Sequence, residues 1–258
     1  MHRLFPAPTT GSAADETLAT LDGLADAYAY PEPAPDRPAW LRANMVSSLD
    51  GAAWHDGRSQ PLSSEADMRV FGVLRGLADA VVVGAETVRQ EGYRPARVRE
   101  AFAARRAALG QPPAPTIVVV SAALELDFTL PLFTGPVVPT VVLTGTGADP
   151  ERVRAAEASG ARVLRAGEGT RVDPAEAVRV LAGHGMTRLL TEGGPRLLGQ
   201  FAAAGVLDEL CLTVAPLLTA GTAPRIANGP LIAEPDRFRP VSVLEEQGFL
   251  FTRYVRVR

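Results

Sequence analysis

Arg188-Leu189-Leu190-Thr191-Glu192-Gly193-Gly194-Pro195 carries an apolar strand-like run into a turn of two glycines and a proline, from which a helix-like pattern continues through Arg196. Two glycines let a backbone approach a bulky ligand without interference from Cβ. A proline in the first helical turn forfeits no hydrogen bond, because that N–H is unpaired in any helix. The N–H groups left open at such a helix start favour an anion such as phosphate. Glu192 stands just before the glycines at the carboxyl end of the strand, where α/β sheets gather their ligands. One loop thus offers a carboxylate and an anion cradle, although taken alone it also suits an ordinary strand-to-helix connection.

Outward from this loop, apolar strand candidates alternate with helical patterns. The strands are 41–45, 80–83, 116–120, 140–143, 162–164 and 188–191, and the helices 64–77, 95–109, 150–158, 174–182 and 195–203. Asp149-Pro150 and Asp173-Pro174 combine an N-cap side chain with a preset first-turn φ, which marks two of the helix starts. The alternation predicts a wound α/β sheet. After the last helix the pattern changes to strands at 208–214 and 249–257, with no helix recognisable between them, so these two should pair antiparallel at one side of the sheet. Residues 1–39, rich in Pro, Ala and Asp, read as a surface-wrapping extension with one short helix near 18–27, and residues 40–258 as one domain.

The chain has 258 residues, 47% hydrophobic and 21% charged, which provides for a sizeable core. A net charge of −3 without a basic cluster argues against nucleic acid. All 26 basic residues are arginine, which excludes Schiff-base lysine chemistry. Cys211, the only cysteine, sits in an apolar run and allows no intramolecular disulfide, which fits a reducing cytoplasm. No apolar run reaches membrane-spanning length. His2, His55 and His184, read as loop residues, lack ligand spacing, so no metal site is expected.

Two further strand ends carry similar punctuation. In Asn44-Met45-Val46-Ser47-Ser48-Leu49-Asp50-Gly51 the hydroxyls and glycine suit hydrogen bonds to a nicotinamide amide or ribose, and equally a turn capped by Asp50. In Val83-Gly84-Ala85-Glu86-Thr87, Gly84 permits close backbone approach and Thr87 offers a hydroxyl. Neither is the G-x-G-x-x-G fingerprint of a dinucleotide fold.

Together with Leu207-Asp208-Glu209-Leu210 and Ala215-Pro216, these ordered segments give the chain, over about residues 40–257, a resemblance to the riboflavin-biosynthesis pyrimidine reductases of the RibD C-terminal type, whose fold is similar to dihydrofolate reductase. The resemblance implies a mainly parallel mixed sheet with antiparallel C-terminal strands, helices on both faces, NADPH as cofactor and a homodimer. It points to Ser47, Ser48, Gly84, Thr87, Gly193, Gly194, Pro195 and Leu198 around the cofactor, with Ser121 a candidate for its 2′-phosphate. Many full-length relatives also carry a zinc deaminase signature, H-x-E with P-C-x-x-C, that this sequence lacks, so a reductase without deaminase activity is expected.

On the substrate side, hydride attack on a ring-opened ribosylamine requires a proton donor and an anchored pyrimidine. Asp67 and Glu192 are the catalytic candidates, with Asn44 and Arg75 as additional substrate contacts. Asp67 lies in the first turn of helix 64–77, after a disordered-looking loop at 55–61; there it also suits the helix dipole, as Arg75 does near the other end. Asn44 and Glu91-Gly92-Tyr93 depart from the family pattern, which often has lysine at the first position and Asp-Asp-Pro at the second. Three functions stay open: a pyrimidine phosphate reductase, a dihydrofolate-reductase-like enzyme acting on a dihydropterin, and an NADPH-binding protein without turnover. The apolar alternation of 249–257 predicts a sheet edge that needs a cover, from a second subunit or from the N-terminal segment.

Overall fold

Val81 and Val83 point to one face of a central strand and Ala80 and Val82 to the other, and all four are buried because helices cover both faces. The computed structural model describes residues 1–7 and 17–258. In chain order the elements are β1 (His2–Phe5), α1 (Leu21–Ala27), β2 (Trp40–Ser47), α2 (Glu65–Leu77), β3 (Ala80–Gly84), α3 (Ala85–Gln90), α4 (Glu100–Ala108), β4 (Thr116–Val120), α5 (Pro131–Thr134), β5 (Val141–Thr144), α6 (Pro150–Ala158), β6 (Arg162–Arg165), α7 (Pro174–Gly183), β7 (Arg188–Thr191), α8 (Pro195–Ala203), β8 (Glu209–Val214), β9 (Phe238–Glu246) and β10 (Phe249–Arg256). Among the described residues these strands form one sheet in the order β1-β9-β10-β8-β2-β7-β3-β4-β5-β6. From β8 to β6 every pairing is parallel, whereas β10 pairs antiparallel with both β8 and β9, and β1 antiparallel with β9.

This is the expected mixed sheet, and its order makes neighbours of the three punctuated strand ends. β7 inserts between β2 and β3 with Thr191 level with Ala43 and Val82, so the carboxyl ends of the three strands are neighbours, with β2 running on to Ser47 beside β8. One core layer joins α1, α2 and α4 through Leu24, Val73, Leu74 and Phe102; the other joins α7 and α8 through Leu181, Leu198 and Phe201. Local chemistry sets the helix starts. Asp149 and Asp173 each accept from a first-turn N–H ahead of a proline, and Ser64 accepts from the N–H of Asp67 at 3.1 Å.

Four expectations are corrected. The N-terminal segment is not all surface coil: β1 extends the sheet, placing His2 in a strand, and Leu24, Ala25 and Tyr28 are core residues; the expectation for residues 8–16 lies outside the described residues. β10 is no edge, because β9 flanks it and β1 flanks β9 in turn. Pro240 and the acidic pair Glu245-Glu246 hide β9 in the sequence, since proline cannot donate to a ladder; the β9–β10 register shifts between Arg253 and Tyr254, beside Pro240. The helix read at 95–109 begins only at Glu100, so residues 91–99 are free to form a wall of the cavity described below. The loop at 55–61 is ordered by a tight bridge between His55 and Arg58 and leads into a 3₁₀ turn at Gln60–Leu62.

Candidate functional site

A cavity of about 940 Å³ opens beside the tips of β2, β7 and β3 and runs along α2. One corner is made of backbone. Gly193 has φ +86°, a left-handed conformation that suits glycine, the Gly193–Gly194 peptide is cis, and Gly84 N–H donates to the Gly193 carbonyl at 3.1 Å. A Cβ on Gly194 would stand 2.9 Å from Thr87 Oγ1, and one on Gly193 would stand 3.3 Å from the Met45 thioether. The two helices that leave this corner, α3 and α8, have glycine N-caps and no side-chain cap, unlike α1, α2, α6 and α7. Their first N–H groups are open to an anion, which is the arrangement a pyrophosphate needs. The corner therefore fits a dinucleotide cofactor.

The opposite wall is made of side chains. Asp67 is buried, and its two oxygens accept separately from Ser63 Oγ at 2.6 Å and Thr213 Oγ1 at 2.7 Å. Glu192 accepts in bidentate fashion from Arg75, Nε to Oε1 and Nη2 to Oε2, both at 2.6 Å, and also from the hydroxyl of Tyr93. Arg75 donates to the Tyr93 oxygen at 2.7 Å and lies over the Phe71 ring at 4.3 Å. Burial pulls the Arg75 guanidinium down, but the charge and hydrogen bonds of Glu192 outweigh it, and the net shift is upward. Beyond them Arg94, Arg97 and Arg99 line the rim, exposed and without a carboxylate partner among the described residues. Arg99 is exposed as a whole, but its guanidinium lies against Gly72, and this partial burial, then repulsion from Arg75, pushes it down. Positive charge without a counterion marks this end for an anionic group.

Of the residues singled out in the sequence, Asn44, Asp67, Arg75, Thr87, Glu192, Gly194 and Pro195 line the cavity together. Ser47, Ser48 and Leu198 do not line it, and Gly84 and Gly193 shape the corner through their mutual hydrogen bond without themselves lining the cavity. The Ser48 hydroxyl serves its own turn, donating to Asp50 at 2.5 Å and accepting from Ala52 N–H at 3.0 Å, while Leu198 is buried in the core under α8. Ser121 Oγ similarly closes a local turn on Leu124 N–H at 3.0 Å. Sequence reasoning missed Phe71, Trp54 and Thr213, and it marked Tyr93 only as part of the Glu91-Gly92-Tyr93 departure, without its contacts to Glu192 and Arg75. A signal existed for Thr213: the inward positions of β8 are Glu209, Cys211 and Thr213, a polar series where a core strand normally carries aliphatic residues.

Fold and cavity together define a wound α/β protein with a glycine-built corner beside an acidic, arginine-rimmed wall. Residues 39–245 match the RibD C-terminal domain model, and the chain belongs to that family. It is 28% identical over 215 residues to the 2,5-diamino-6-ribosylamino-4(3H)-pyrimidinone 5′-phosphate reductase of Archaeoglobus fulgidus, covering 83% of this chain and 96% of that protein. It is 32% identical over 178 residues to the enzyme of the same name from Methanothermobacter thermautotrophicus, covering 69% of this chain and 78% of the relative. Among solved structures, a pyrimidine reductase-like protein from Corynebacterium diphtheriae superposes with a TM-score of 0.76 at 28% identity, covering 85% of this chain and 92% of the other.

Proposed function

We propose that the chain is an NADPH-dependent reductase that converts an aminopyrimidine ribosylamine phosphate, 5-amino-6-(5-phosphoribosylamino)uracil or its diamino precursor, to the ribitylamino product in riboflavin biosynthesis. One observation carries this reading: a single cavity joins a glycine corner with two uncapped helix starts, the carboxylates of Asp67 and Glu192, and three rim arginines without a carboxylate partner among the described residues. A dinucleotide, a flat aminopyrimidine and a phosphate call for these three chemistries.

NADPH, when bound, supplies the hydride. Thr87, Gly194 and Pro195 would hold it, in a turn shaped by Gly193, and the open backbone N–H groups at the starts of α3 and α8 would offer donors to its phosphates. Asp67 accepts from the amino edge of the pyrimidine. Its two neighbours are hydroxyls, each able to turn and accept as well as donate, so a proton can come and go at Asp67 without displacing a fixed charge. Glu192 differs, because a guanidinium only donates; pinned by Arg75, it is an oriented acceptor for the sugar or pyrimidine rather than a proton shuttle. Met45, Trp54 and Phe71 form apolar walls that keep water from the reacting atoms. Arg94, Arg97 and Arg99 receive the phosphate, where Asn44 and Tyr93 mark this chain's departure from the family pattern.

The test is to offer the purified chain and NADPH the pyrimidine phosphate and dihydrofolate separately, following the loss of reduced-nicotinamide absorbance. Turnover of the pyrimidine phosphate alone is expected. Faster turnover of dihydrofolate would make the protein a pterin reductase, and tight NADPH binding with neither reaction would leave a binding protein. The same proposal takes the working unit as a cytoplasmic homodimer, on the family resemblance alone now that β10 is enclosed. A single species of monomer mass in sedimentation would remove that part.

A further inference from the structure

Residues 91–99 carry all three unpaired rim arginines, yet few contacts tie the segment to the rest of the molecule. Glu91 Oε1 meets the N–H and hydroxyl of Ser59 at 3.4 and 3.2 Å, both in exposed positions where such contacts are weak. Tyr93 N–H donates to the Val88 carbonyl at 3.1 Å, which fixes the end of α3 rather than the arginines beyond it. Ala96 is the one buried residue of the segment, and the Tyr93 ring packs against the same core. Arg99 lies across α2 where residue 72 is glycine: a Cβ there would stand 2.4 Å from Arg99 Nη1.

The Tyr93 side chain is different in kind. Its hydroxyl meets both Glu192, which follows the central strand β7, and Arg75 on α2, so one oxygen joins three separate elements at the middle of the cavity. Glu192 is itself indexed to the sheet, because its N–H donates to the Val82 carbonyl at 3.3 Å. A displacement of 91–99 relative to the Glu192 turn breaks the phenol contact. We propose that Tyr93 is a positioning residue that latches the arginine-bearing segment to the Glu192–Arg75 pair and thereby sets the preference for a phosphorylated over an unphosphorylated substrate. The inference rests on the reaction proposed above, and it assigns a role to a residue at which the chain departs from its family's pattern.

The experiment uses the full chain with Tyr93 intact and with Tyr93→Phe, which removes the hydroxyl and keeps the ring. With the pyrimidine ribosyl phosphate and its dephosphorylated form as substrates, the ratio of their kcat/KM values is expected to fall about tenfold in the variant, the factor of a lost hydrogen bond to a charged group. The loss should sit in KM for the phosphorylated compound rather than in kcat. An unchanged ratio, or equal losses for both compounds, overturns the proposal. Amide hydrogen exchange of the ligand-free chain separates this inference from the reaction on which it rests. Tyr93→Phe should speed exchange selectively in 91–99 and at the Glu192 turn even if the wild-type chain reduces neither compound, and unchanged exchange there rejects the latch by itself.

Discussion

Two of the arginine–glutamate pairs in this molecule do opposite things. Arg42 on β2 and Glu209 on β8 are both fully buried; Arg42 Nε lies 2.9 Å from Glu209 Oε1, and the guanidinium also donates to the Tyr28 carbonyl at 2.8 Å and faces the Tyr30 ring. Glu209 additionally accepts from Arg253 Nε at 2.6 Å and Trp40 Nε1 at 2.8 Å. Burial pushes Glu209 up, but Arg42 and Arg253 outweigh it and hold the carboxyl below its ordinary value. This pair has no open side, and it fastens the segment after α1 to the antiparallel strands. Arg75 and Glu192, with side chains 21% and 6% exposed, face the cavity instead. A buried ion pair contributes little net stability over an apolar replacement, so its value lies in what it specifies. The first pair specifies the fold and the second a binding wall.

The contrast can be broken most severely at the first pair. Arg42→Met leaves Glu209 with one cation fewer in a fully buried site, and should cost ~3–5 kcal/mol in urea unfolding, while the molecules that stay folded retain their NADPH affinity. A loss below ~1 kcal/mol would mean that Arg253 alone satisfies Glu209.

Asp67→Asn sharpens the other side. The proton-accepting oxygen is lost with little change in shape, so kcat should fall on the order of 100-fold with NADPH affinity unchanged. Comparable loss of both would place Asp67 on the cofactor side. Glu192→Gln should have a smaller effect, about tenfold on kcat/KM and less on NADPH binding, because an amide accepts at only one of the two positions where Arg75 donates. Steady-state kinetics beside NADPH titrations distinguish these outcomes.

The smallest effect expected is at Asp50, whose exposed carboxylate straps the β2 turn to Thr219 and Ala220. Hydrogen bonds from Ser48, then from the Thr219 backbone, lower it from 3.8 to about 2. A depressed carboxylate stabilises the folded form fully above its unfolded value and loses that contribution as pH falls through the folded one, so the strap should release between about pH 4 and pH 2. Hydrogen exchange at 48–52 and 217–220 should speed up in that window for the native chain and show no such step in Asp50→Asn.

What the sequence reveals follows from how local each feature is. The glycine corner is legible because Glu192-Gly193-Gly194-Pro195 declares its backbone needs within four residues. Strands such as Thr116–Val120 and Arg188–Thr191 are legible as apolar runs bounded by turns. The substrate wall is not, since Asp67 finds Thr213 across 146 positions and Glu192 finds Tyr93 across 99. Only Ser63, four residues before Asp67, is a local partner; nothing near either carboxylate names the distant ones. The enclosure of β10 is hidden for a related reason: its cover is a strand interrupted by Pro240, itself flanked by a strand from the other end of the chain.

The account depends most on the glycine corner being the seat of a reduced nicotinamide dinucleotide. Calorimetric titration of the full chain with NADPH, beside Gly193→Val, tests this directly. The native chain should show saturable binding that the variant loses, because valine is strained at a φ of +86° and its Cβ crowds Met45. No heat of binding from the native chain, or equal affinity in the variant, would contradict the account.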